Sequence, residues 1–250
     1  MRISPYLLMF VLVWTALYNT DASGQVEPNE AKLVSQIMAL DAAKSEAETD
    51  FANSAFVQSL QQQLILPKTF SFSFPRLSEY VKIVSSADDQ IRFYSWQLPV
   101  DGSRRRIQVI AQFKTKKGKI VVQQLQYFGK SDEYTFAENG IYAVYPIKYA
   151  NEMAYLTFGW GTYGQGIQHN VVSLYRIEKD SLVKALDGLP QQKEIMIQYP
   201  RNADCKLRYD VNSQELSYNS YILHKDKGYY YPDGNTIRLK LRETTGFVKQ

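Results

Sequence analysis

One cysteine, Cys205, and two histidines, His169 and His224, are all that this chain of 250 residues holds of either type. A lone thiol excludes an internal disulfide, so the fold must rest on its apolar core. Cys205 itself reads as a small buried hydrophobe, with a bridge to a second chain as the alternative. Two histidines outside any H-E-x-x-H spacing, with no second cysteine, do not make the usual zinc sets. No metal and no cofactor is expected. The chain also lacks G-x-S-x-G, the elbow that presents a nucleophilic serine in the α/β-hydrolases. Glycoside hydrolysis needs only two carboxylates, but nothing in the sequence marks out such a pair. Asp88-Asp89 and Asp132-Glu133 read as solvated turns, because neighbours on a strand point to opposite faces.

An excess of one charge is missing too. The formal net charge is +4, and removing residues 1–24 takes away only Arg2 and Asp21, which cancel. That is too mild for a nucleic-acid footprint, which concentrates basic residues. The main apolar run, residues 7–17 (LLMFVLVWTAL), has eleven residues. A membrane-spanning helix needs about 20. With Arg2 before it and Ala22-Ser23-Gly24 after it, the run has the layout of a secretory signal over residues 1–24. Export to the periplasm or beyond is therefore expected, with an uncleaved N-terminal anchor as the alternative.

What the chain does have is aromatic side chains: 19 Tyr, 12 Phe and 3 Trp. These favour half-buried pleated surfaces. A helical segment over residues 25–66 comes first. Leu33, Ile37 and Leu40 form a helical stripe. A second helix over 45–64 is expected to bury Phe51, Ala55, Val57, Leu60 and Leu64. Glu46 and Glu48 suit its positive end, and Pro67 stops it. Strict alternation at Phe70, Phe72 and Phe74 then predicts a strand. Ile91, Phe93 and Ser95 fall on one face of the next strand, Arg92, Tyr94 and Trp96 on the other. Residues 107–113 and 120–127 complete a three-stranded meander. A second meander follows over 141–183, with 159–166 as a glycine-rich loop. Shorter strands follow at 194–199, 206–209, 215–218 and 236–241, with a turn at Pro232-Asp233-Gly234.

A weak internal repeat relates 91–127 to 154–183. Trp96 and Trp160 correspond, as do Val109, Phe113, Ile120 and Val121 to Val171, Tyr175, Leu182 and Val183. The expected fold class is mainly β with N-terminal α-helices. Residues 67–250 would form antiparallel meander sheets, open or rolled, with propeller-blade-like repeats as the closed variant.

Three stretches carry a resemblance: SSADDQIRFYSW at 85–96, the strand–glycine–strand run at 155–177, and LRYD with ELSY over 207–218. They resemble a set of exported bacterial β-rich proteins of no established function. The resemblance implies a β-rich fold and export, and no catalytic residue comes with it.

Gly159 to Gly164 spell G-x-G-x-x-G, with Asp180 near the distance expected of a ribose-binding acid. A dinucleotide site would need a helix to start in that stretch. The residues that follow are β-branched and strand-like, so the glycines are assigned to close backbone approach. His169 beside them is more simply structural than catalytic. Candidate ligand-binding residues are the aromatics Trp96, Trp160, Tyr163 and Tyr230, together with His169. For each of them a place in the core is the plainer reading. Arg104-Arg105-Arg106 with Lys114, Lys116, Lys117 and Lys119 form one basic cluster, read as a solvated edge or as a contact for an anionic surface. The leading expectation is an exported, non-enzymatic protein that binds an envelope or extracellular glycan or protein through aromatic loops. The alternatives are an exported hydrolase acting on glycans and a structural assembly module.

Overall fold

The computed structural model describes residues 28–99, 105–125, 138–164 and 166–250. The expected signal segment, Asp101-Gly102, Arg104 and Asp132-Glu133 lie outside the described residues, as does the side chain of Tyr163.

Helix α1 (Glu30–Asp41) begins where Asn29 Oδ1 accepts a hydrogen bond from the Lys32 amide at 3.1 Å. Helix α2 (Glu46–Leu64) begins where Ser45 Oγ accepts from the Glu48 amide at 3.3 Å. Glu48 in turn accepts from the Lys44 amide at 2.8 Å, so two otherwise orphaned donors are satisfied. The buried stripe of α2 is Thr49, Asn53, Phe56, Leu60 and Leu64. Phe51, expected to face inward, is 80% exposed. Asn53 and Phe56 set the stripe by engaging Trp96, and this turns Phe51 outward.

Phe70, Phe72 and Phe74 do not form a strand. Pro67–Phe70 is a turn of 3-10 helix, and Phe74 has φ of 51°. The cause is Arg92. Its buried Nη1 donates to the carbonyls of Thr69 at 3.1 Å, Phe70 at 3.3 Å and Phe72 at 2.6 Å. The guanidinium also lies over the Phe74 and Tyr94 rings, 5.7 and 5.5 Å from their centroids. Carbonyls gathered on one cation are not free to pair in a ladder.

The rest is antiparallel sheet, in three sheets that do not close into a barrel. The first runs β1 (Lys82–Ser85), β2 (Ile91–Gln97), β3 (Ile107–Lys114), β4 (Ile120–Gln124), in that order. It is thus four-stranded, with β1 added to the expected meander. The second runs β5 (Gly140–Tyr149), β6 (Glu152–Gly164), β7 (Ile167–Glu178), β8 (Ser181–Lys184). Strand β9 (Ile195–Pro200) pairs with the first half of β7, and β8 with the second half. The third is β10 (Arg208–Asp210), β11 (Glu215–His224), β12 (Tyr229–Arg242), β13 (Gly246–Lys249). Trp96 and Trp160 lie on the second strands of the first two sheets, Phe113 and Tyr175 on the third, Val121 and Val183 on the fourth.

Two sequence expectations about loops are corrected. Residues 159–164 belong to β6 and pair with β7, so the glycine-rich stretch is strand and no helix follows it. Pro232-Asp233-Gly234 lies within β12. The register slips there opposite Ser220, and Asp233 Oδ1 accepts from the Asn235 amide at 2.8 Å, so the turn chemistry makes a bulge.

The layers stack. Leu33, Ile37, Phe56 and Leu60 of the helices pack on Tyr94, Trp96 and Ile110 of the first sheet. The other face of that sheet, with Ile91, Phe93, Val109 and Phe113, meets Ile141, Val144, Tyr155 and Tyr175 of the second. The far face of the second sheet, with Leu156, Phe158, Val172 and Leu174, meets Leu216, Leu239, Leu241 and Phe247 of the third. Both faces of these strands are covered, so β2 is buried as far as Trp96, β3 as far as Phe113 and β7 as far as Tyr175. No helix among the described residues is long and apolar enough to cross a membrane.

Candidate functional site

Side chains alternate across a strand, so β6 sends Ala154, Leu156, Phe158 and Trp160 to the face that meets the third sheet. The first three are core. Trp160 is next in the row, half-buried at the point where the core ends. Asn170 lies opposite it on β7, and Ile197 of β9 opposite Asn170. Two residues along the same row, Tyr199 pairs with Gln168. Five side chains thus share one end of one face. Three of them, Trp160, Asn170 and Tyr199, border an open groove of about 390 Å³ together with Tyr142 of β5 and Asp204, Cys205 and Leu207 of the connection into β10.

Asn170 is the hub of its floor. Its Nδ2 donates to Tyr142 Oη at 2.8 Å and to the Gly159 carbonyl at 3.2 Å. Its Oδ1 accepts from Tyr199 Oη and from Cys205 Sγ, the latter at 3.4 Å. Gln168 holds the wall. Its Oε1 accepts from Trp160 Nε1 at 3.2 Å, and its Nε2 donates to the carbonyls of Arg201 at 3.4 Å and Ala203 at 3.3 Å. The rim beyond is tied down by Tyr221 Oη, which donates to the Asp204 carbonyl at 3.2 Å, and by the Asn219 amide on the Cys205 carbonyl at 2.6 Å. Residues that keep such partners hold the groove in one shape before any ligand arrives, which lowers the ordering cost of binding.

The titratable groups here are quiet. Burial pushes the Cys205 thiol up, so it is not a thiolate nucleophile at neutral pH. Burial, reinforced by Cys205, likewise raises the hydroxyls of Tyr142 and Tyr199. Asp204 is held below the usual carboxylate range by the Lys206 amide and ammonium, so it is ionised. No group of three or more metal-ligating side chains occurs among the described residues.

A second, smaller concavity of about 140 Å³ opens where the first two sheets meet. Trp160 and Tyr142 line it as well as the large groove. Its other walls are Lys82, Ser95, Trp96, Gln97, Ile107 and Gly140.

The candidate residues scatter. Trp160 lines the groove. Trp96 is only 3% exposed, its indole N–H donating to Asn53 Oδ1 at 2.9 Å and its ring set edge-on to Phe56 at 5.1 Å. It is a core residue, because β2 is covered by helices on that face, and it adds only an edge to the small concavity. His169 is 1% exposed on the opposite face of β7 from Asn170, with Nε2 3.0 Å from the Glu138 carbonyl. It faces Gly161, where a Cβ would come within 2.1 Å of that carbonyl and 2.6 Å of the imidazole. At Gly159 a Cβ would meet Asn139 Oδ1 at 1.7 Å. The glycines therefore admit residues 138–139 across β6. Tyr163 is in β6, and Tyr230 is half-buried on β12.

No known protein family, no curated protein and no solved structure matches this chain.

The basic cluster is dispersed. Arg106 pairs with Glu46 at 3.4 Å and Lys119 with Asp180 at 3.0 Å, while Lys114 lies 4.3 Å from the Phe70 ring centroid. Tyr142, Asn170, Tyr199 and Asp204 escaped the sequence reading. One signal pointed to them: Gln168-His169-Asn170 puts three consecutive polar residues inside β7, and all three are buried. Buried polar groups must be bonded, so such a triplet marks a built network.

Proposed function

We propose that the chain is an exported, non-enzymatic carbohydrate-binding protein whose site is the groove lined by Trp160 and Tyr142. The carrying observation is that these aromatic rings border an open groove held in shape by the Asn170 and Gln168 hydrogen bonds. A pyranose ring has an apolar C–H face and a hydroxyl rim. An aromatic face suits the first and groups such as Tyr142 Oη and Asp204 suit the second. Export rests on the layout of residues 1–24. Binding is favoured over hydrolysis because the lining of the groove includes one carboxylate, Asp204, where the acid–base and nucleophile roles require two. The raised thiol and phenol groups supply no nucleophile either.

Affinity electrophoresis tests this. The full chain is run through native gels containing dextran, mannan, xylan, hydroxyethylcellulose, alginate, polygalacturonate or hyaluronate. At least one polymer should retard the wild type, and Trp160→Ala, checked for an unchanged circular dichroism spectrum, should lose the retardation. Absence of retardation in every gel overturns the reading, and release of reducing ends by the wild type favours a hydrolase instead.

A further inference from the structure

Trp160 and Tyr142 stand between two concavities, so a saccharide lying on them reaches both. The two ends differ in chemistry. The large groove offers aromatic faces and the ionised Asp204. The small concavity offers donors. Lys82 is exposed on β1, and its ammonium makes no hydrogen bond or ion pair with any other described residue. Gln97 uses its Oε1 to accept from Arg105 Nη1 at 2.8 Å, which leaves its amide N–H groups to donate and brings a second cation to the rim. The remaining polar side chain there, Ser95, is occupied by the Ile141 amide at 3.0 Å. The small concavity thus presents hydrogen-bond donors and positive charge. A volume of about 140 Å³ gives room for a carboxylate or sulfate.

Resting on the carbohydrate reading, we propose that the small concavity is an anion subsite and that the ligand is an acidic saccharide. One sugar ring lies on Trp160 and Tyr142, and its anionic substituent projects past them to Lys82 and the Gln97 amide. Lys82 fixes the direction, since Asp204 at the other end is already paired with Lys206 at 3.1 Å. Charge-assisted bonds of this kind are stronger than neutral ones, and they discriminate between ligands that stack equally well.

The test uses the same gels at 150 mM salt. Wild type, Lys82→Gln and Lys148→Gln are compared in dextran, dextran sulfate, alginate, polygalacturonate and hyaluronate. Lys148 is exposed on β5 and does not line either concavity, so its variant controls for the loss of one charge. Acidic polymers should retard the wild type and Lys148→Gln equally, with apparent affinity about tenfold weaker in Lys82→Gln. Dextran sulfate against the uronate polymers separates sulfate from carboxylate. Retardation only by neutral polymers, unchanged in Lys82→Gln, overturns the anion subsite and leaves the carbohydrate reading standing. Equal losses in both variants reduce the effect to general charge attraction and overturn it as well. Silence in every gel fails the carbohydrate reading itself.

Discussion

Replacing Asn170 by leucine, a side chain of similar size, should destabilise the protein by about 2–3 kcal/mol. The figure follows from the four bonds the amide makes. Two are donated, to Tyr142 Oη and the Gly159 carbonyl, and two accepted, from Tyr199 Oη and Cys205 Sγ. A net hydrogen bond contributes about 1 kcal/mol, and a buried partner left unbonded costs about 1–3 kcal/mol. Tyr142 and Tyr199 border the groove, where water can replace the lost amide, so their share is discounted. The thiol is a weak donor and adds little. The Gly159 carbonyl, in a buried strand, carries most of the cost. With a urea m-value of about 3 kcal/mol/M, the unfolding midpoint should fall by about 1 M. Thr236→Ala, which removes an exposed bond to Asn219 of 3.1 Å, is the control and should stay within about 0.5 kcal/mol. An Asn170→Leu midpoint as close to wild type as the control's would refute the claim that this amide holds the groove floor.

Other perturbations follow from the same contacts. Gly161→Ala should lower the melting temperature, because the new Cβ falls 2.1 Å from the Glu138 carbonyl. Overpacking of this kind costs about 1–3 kcal/mol, and a melt unchanged by the substitution would remove the crossing of β6 by residues 138–139. Asn53→Ala should destabilise by about 1–3 kcal/mol by orphaning the Trp96 indole N–H, read by urea unfolding, and a neutral result would contradict the docking of α2 on the first sheet. Burial raises Tyr149 and Tyr209, each to about 12 from an ordinary value of 10.0. A raised phenol binds its proton more tightly in the folded state, so its contribution is complete below pH 10 and is lost as pH climbs towards 12. Absorbance at 295 nm should show a set of tyrosines that ionise only with alkaline unfolding. A single titration near 10 with the fold intact would speak against that burial.

The sheets were legible because alternation is a local property. Ile91, Phe93 and Ser95 against Arg92, Tyr94 and Trp96 divides β2 into the two faces it presents to the second sheet and to the helices. Phe70, Phe72 and Phe74 alternate just as strictly, yet a buried guanidinium from residue 92 claims the intervening carbonyls. That conflict was invisible because it joins segments about twenty residues apart. Phe51 misled for a similar reason, since the inward face of α2 is chosen by Trp96 of a later strand. Of the candidate site, Trp160 alone lines the groove. Its partners arrive from β5, β7, β9 and the connection into β10, and no spacing in the sequence relates Tyr142 to Tyr199 or Asp204. The groove is a product of sheet stacking, which the chain encodes only through long-range pairing.

Indole N–H signals in a nitrogen–proton correlation spectrum test the central claim most directly. The chain has three tryptophans, and single substitutions assign them. On titration with fragments of a retarding polysaccharide, the Trp160 signal should shift much further than that of Trp96, whose indole N–H is bonded to Asn53 in the core. Binding that leaves Trp160 unmoved would put the ligand elsewhere and contradict the account.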